Sequence, residues 1–148
     1  MMRLSLITLL LALSACQQDE PAAPAEPVPL PRTSAPVTAM VFFVSPADRD
    51  TVTNPIRVEF GLDNMAVVPA GTEAPNSGHH HLLVDTVLPD FGQPIPADEQ
   101  HIHFGDGSTS TELTLEPGEH TLQLLLADHL HIPHDPPVMS ERITITVE

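Results

Sequence analysis

The sequence predicts an all-β protein, an immunoglobulin-like antiparallel β-sandwich of about seven strands. Three observations predict it. Short apolar runs alternate with period 2, as half-buried strands do. Turn formers punctuate the intervals, with 17 Pro and 7 Gly in 148 residues. No stretch carries a capped helical periodicity.

Residues 40–44, Met-Val-Phe-Phe-Val, form strand A, which Ser45-Pro46 ends. Residues 56–62 alternate apolar and polar and form strand B. Residues 79–86, apolar at their centre, form C, and a short D lies at 100–104. Residues 111–115 alternate again as E. Glu116-Pro117-Gly118-Glu119 is a turn signal. Residues 120–127 form F, with Leu122, Leu124 and Leu126 on one face. Residues 138–147 form G. The E–F junction resembles the corner of many sandwich domains, with His120 where those domains often carry Tyr. A hydrogen-bonded structural role is expected for it.

The N-terminus reads as an export signal. Met1-Met2-Arg3 is a positive start, and residues 4–13 are an apolar run too short to span a bilayer. Residues 1–15 are read as a lipoprotein signal peptide. Leu13-Ser14-Ala15-Cys16 resembles the bacterial lipobox, which implies that Cys16 is acylated and becomes the mature N-terminus. Two or three acyl chains would anchor the protein at a membrane. In a Gram-negative cell, Gln17 after the Cys implies the outer membrane, facing the periplasm. Residues 16–37, rich in Pro, Ala and Glu, are expected to be a disordered tether. Residues 38–148 are expected to form one domain.

Composition narrows the function. Cys16 is the only Cys, so disulfides, thiolate chemistry and Cys ligation are excluded. The net charge of −15 argues against nucleic acid and anionic headgroups, and favours cations. Lys, Tyr and Trp are absent. No nucleophile elbow or phosphate loop is present, although Ser77, Ser108 and Thr109 lie near histidines. The chain is read as a non-enzyme.

Nine histidines are the chemical signature. Imidazole is the commonest side-chain ligand for borderline transition metals. In the sandwich, the start of C, the D–E end and the F–G loop share one pole. His79, His80 and His81 open C; His101 and His103 lie at the D–E end; His129, His131 and His134 lie in the F–G loop. Residues i and i+2 of a strand share a face. His79, His81, His101 and His103 are therefore the leading ligands, with His129, His131 and His134 as competitors, for copper(II) or zinc. His80 points to the other side and is read as structural. Asp85, Asp98, Asp106, Asp128 and Asp135 are candidates to orient the rings. The alternative is a non-enzymatic interaction or structural module. Its histidines would form a hydrogen-bond network, and its loop pole would face a protein or cell-wall polymer.

Residues 41–147 resemble a bacterial family, domain of unknown function 4399. The resemblance rests on Val41-Phe-Phe-Val-Ser-Pro46, Pro69-Ala-Gly-Thr72, Gly78-His-His-His-Leu-Leu-Val-Asp85, and Pro94-Ile-Pro-Ala-Asp98 with His101-Ile-His-Phe-Gly105. It rests also on the runs from Pro117 to Leu126 and from His131 to Ser140. It implies a small exported domain and brings no established activity.

Overall fold

Every residue of one strand, Ser77–Val84, is buried. This is β5, and both of its faces are covered. The computed structural model describes residues 28–148, so the signal peptide and Cys16 lie outside the described residues. The other strands are β1 (Met40–Ser45), β2 (Thr51–Val52), β3 (Ile56–Asp63), β4 (Ala66–Val67), β6 (His101–His103), β7 (Ser110–Leu113), β8 (Gly118–Ala127) and β9 (Ile143–Val147). The described residues contain no helix, and the sandwich expected from the alternation is the fold.

One sheet runs β1-β3-β7 and the other β2-β9-β8-β5-β4. Inner faces interdigitate as period 2 requires. Val58 and Phe60 of β3 meet Leu82 and Val84 of β5 and Leu122, Leu124 and Leu126 of β8 in one core. Two pairings are parallel, β2 with β9 and β4 with β5, and each is two residues long.

The strand expected as D behaves differently from its counterpart in an immunoglobulin sandwich, where it extends the A–B–E sheet. Here β6 pairs antiparallel with β5, in the other sheet. The outer edge of β5 is thus shared: Ser77 and Gly78 pair with β4, and His81 to Leu83 pair with β6. Strand G is shorter than the alternation suggests. Leu126 N–H donates to Val138 and Ser140 N–H to Leu124, but Ser140 Oγ accepts from Leu124 N–H and interrupts the ladder before β9.

The outer face of the second sheet is dry. His79, His81 and Leu83 stand on it opposite Ala127, Leu125 and Gln123. Loops cover it, and Leu83, Leu125 and Ala127 pack with Ile95 in a second small core. Three polar side chains, His79, His81 and Gln123, are therefore buried on what would ordinarily be a solvated surface.

Packed structure begins upstream of residue 38. Leu30 N–H donates to Gly92, Ala35 N–H to Asp135, and Asp135 N–H to Thr33. Arg32 donates to the carbonyls of Pro133 and His134 and pairs with Asp135 at 3.3 Å.

His120 closes the corner as expected. Its Nδ1–H donates to Asp85 Oδ2 at 2.6 Å and its Nε2–H to the Glu116 carbonyl at 2.8 Å. Both partners are acceptors, which favours the doubly protonated ring. The bond to Asp85, then that to Glu116, raises its pKa.

Candidate metal centre

Register explains which histidines meet. β5 and β6 pair so that His81 faces His103 and Leu83 faces His101. Alternation puts His79 on the same face, one step along β5 from His81. His79, His81 and His103 each offer a nitrogen, and these atoms lie within 4.8 Å of one another.

A fourth ring arrives from the β8–β9 loop. Asp128 organises that loop: its Oδ1 accepts from Leu130 N–H at 2.9 Å and Ile132 N–H at 3.1 Å. His131 N–H donates back to the Asp128 carbonyl, and Ile95 N–H donates to the His131 carbonyl. His131 sits at φ 67°, the left-handed region. That conformation costs about 1–2 kcal/mol for a residue with a Cβ. It turns the ring onto His103, with their Nε2 atoms 3.2 Å apart.

The four rings form a tetrahedron. Centroid separations are 5.0 Å for His79–His81, His79–His103 and His81–His103, 4.9 Å for His79–His131, 4.8 Å for His103–His131 and 6.0 Å for His81–His131. A square would need two long diagonals, and only one separation is long. Rings bonded at 2.0–2.1 Å to one tetrahedral ion would have nitrogens about 3.4 Å and centroids about 5.2 Å apart. The Nε2 atoms of His79 and His81 are 3.2 Å apart.

The environment lowers the pKa of three of the rings, His79, His81 and His103, which favours the neutral, ligating form. Burial first, then the neighbouring rings His131 and His103, lowers the His79 pKa to about 4. Burial, then His79 and His103, takes His81 to about 2. Burial and His131 lower His103 too. His79 and His81 are fully buried, whereas His103 is exposed and His131 half-buried. The cluster thus has a dry floor and a wet rim.

Gly105 makes room for the rim. A Cβ there would clash with His103 Cε1 and lie 2.8 Å from its Nε2. Gly105→Ala should push this exposed ring aside, changing stability by less than about 0.5 kcal/mol. It should weaken metal affinity about 10- to 100-fold, as loss of a ring-positioning contact does. Melting curves and zinc titration of the variant check both. His131→Gly should do something rarer: raise the stability of the metal-free chain by about 1 kcal/mol by relieving the left-handed strain, while weakening zinc binding. The same two measurements read it.

The remaining candidates lie elsewhere. His101 shares the face of His103 but sits one row further along, and its Nδ1–H donates to Asp98 at 2.8 Å. An Asp three residues ahead of a His, Asp98-Glu-Gln-His101, is a local capture signal that the His-x-His spacing outweighed in the sequence. His129 lines a cavity of about 370 Å³ with Thr33, Glu73 and Asp128, away from the four rings. His134 is buried and its Nε2–H donates to the Ser77 carbonyl at 3.1 Å. His80 packs against Phe60 at 4.7 Å in the main core, as its place on the strand requires. Neither of its nitrogens has a hydrogen-bond partner.

The five candidate orienting carboxylates are committed elsewhere. Asp85 holds His120, Asp98 holds His101, Asp106 holds Ser108, Asp135 pairs with Arg32, and Asp128 holds its loop. Nδ1 of His79 and of His81 is buried without a hydrogen-bond partner. The four rings therefore point at one another rather than at backbone acceptors.

Residues 58–148 match the family model described as Domain of unknown function (DUF4399). The match takes in all four clustered histidines and leaves β1 outside. Comparison with curated proteins gives no match.

Proposed function

The chain belongs to the DUF4399 family, and we propose that it binds a divalent transition-metal ion through His79, His81, His103 and His131. Zinc is preferred to copper(II). Zinc adopts tetrahedral sites, whereas copper(II) favours square-planar ones, and the rings are spaced more nearly as a tetrahedron. We further propose that Cys16 anchors the domain by lipid in the cell envelope, at the outer membrane facing the periplasm. Metal buffering, delivery or sensing there fits such a module.

One observation carries the metal reading. Four rings from three segments meet with their nitrogens inward. A structural network would place its buried rings against backbone carbonyls or carboxylates, as His120, His134 and His101 are placed. The four rings are placed otherwise: their Nε2 atoms approach one another in pairs at 3.2 Å, within reach of a shared proton or of one shared ion, and not against backbone carbonyls or carboxylates.

Metal analysis of the full chain, purified without a His-tag or chelator, tests the proposal together with calorimetric titration by zinc and copper. Zinc should bind well below micromolar dissociation constants. Absence of binding tighter than roughly 100 μM, about −5.5 kcal/mol, would end the metal reading.

A further inference from the structure

We infer that residues 28–36 are a strap that holds the His131 loop in its ligand-presenting form, so that strap docking and metal binding strengthen each other. The inference rests on the metal reading of the four-ring cluster and names a control on it.

The connection runs through Asp128. Asp128 is 2% exposed, and its two carboxylate oxygens are divided between two jobs. Oδ1 accepts from the amides of Leu130 and Ile132, the residues flanking His131. Oδ2 accepts from Thr33 Oγ1 of the strap at 2.6 Å. Thr33 thus touches the group that shapes the loop, and touches none of the four rings.

A second set of bonds fixes the far side of the loop. Arg32 donates to the carbonyls of Pro133 and His134, and its guanidinium lies 5.4 Å from the centre of the Phe91 ring. Backbone bonds zip Thr33 and Ala35 to Asp135. Leu30 is tied to Gly92, three residues before Ile95, which donates to the His131 carbonyl. The strap therefore grips both segments that hold the His131 backbone.

Strain makes this grip matter. His131 is left-handed, a conformation that persists only where its surroundings impose it. An undocked strap leaves Asp128 Oδ2 without Thr33 and the two carbonyls without Arg32. The loop can then relax, and the fourth ring leaves the cluster. Linkage is reciprocal, so an ion that holds His131 also holds the strap.

Zinc titration of the full chain against Thr33→Ala and Thr33→Ser tests this. Thr33→Ala should weaken zinc binding by about 5- to 100-fold, the usual range of such couplings. Thr33→Ser keeps the hydroxyl and should bind like wild type. Hydrogen exchange supplies a readout independent of affinity: zinc should slow exchange at the Ala35 and Asp135 amides in wild type, and less so in Thr33→Ala. Should Thr33→Ala fail to fold, Arg32→Gln gives the same comparison from the loop's other side. Equal zinc affinities in wild type and variants, with no change in amide exchange, would overturn the strap and leave the metal reading intact. Equal losses in Thr33→Ala and Thr33→Ser would also overturn it. A wild-type chain that binds no zinc would overturn both.

Discussion

Zinc at about a hundred times its dissociation constant should stabilise the wild-type chain by about 2.7 kcal/mol, a rise in melting temperature of about 10 °C for a domain of this size. His79→Ala combined with His81→Ala should erase that rise. These two rings form the dry floor of the cluster, and nothing else on the outer face of β5 offers a nitrogen there. The metal-free baseline should move less than such a truncation ordinarily demands. Removing large buried side chains costs about 3–5 kcal/mol for aromatics. Here each substitution also removes a buried Nδ1 that has no partner, and such orphans cost about 1–3 kcal/mol each. His103→Ala isolates the metal effect further. Its ring is exposed, so the baseline should hold while zinc affinity falls. Scanning calorimetry with and without zinc reads all three proteins. An unchanged zinc response in the double variant would remove His79 and His81 from the site.

Acid should unfold the metal-free chain well before carboxylates titrate. His79 and His80 are held to about 4 and His81 to about 2, in each case first by burial. The unfolded rings titrate near 6.5. Above that value both states are neutral, and the stability these groups carry is fully present. Below it the unfolded chain takes up protons that the folded chain refuses, so stability falls as pH drops from about 6.5 toward 4. At pH 5 the loss is about 2 kcal/mol per ring, or about 6 kcal/mol for three. That is comparable to the whole stability of an ordinary domain. His120 has the opposite sign: its pKa is raised, so its contribution is present below about 6.5 and fades as pH climbs through the raised value. One ring at the corner does not offset three in the interior. Melting curves between pH 7.5 and 5 check the sum, and a melting temperature that rises on acidification would contradict it.

Much of this was legible in the chain. Alternation located β3, β8 and β9, because each buries one face and period 2 is the direct consequence. The convergence of His79, His81 and His103 followed from strand spacing and the shared pole. Three things were not legible. The sheet that β6 joins depends on competition between two edges, β5 and β7, which local pattern does not encode. That choice fixes the register in which His103 faces His81 and His101 falls one row away. His131 ranked only among the competitors, because its position depends on a left-handed backbone that Asp128 imposes through hydrogen bonds. The docked residues 28–36, part of the segment 16–37, read as tether because Pro and Ala signal little burial. Their hold comes instead from Arg32, Thr33 and backbone groups meeting a loop about a hundred residues later.

The unequal exposure of the four rings carries a kinetic consequence. An ion seated on His79 and His81 would be bound to two groups that cannot swing away without opening the core, and to two that can. His103 and His131 can be replaced one at a time by incoming donors from solvent while the inner pair keeps its grip. Exchange would then proceed by substitution rather than by escape, at a rate set by the concentration and softness of the acceptor. A site of this kind holds its cargo for long periods in dilute buffer, yet hands it over quickly to a partner that presents its own ligands at the rim.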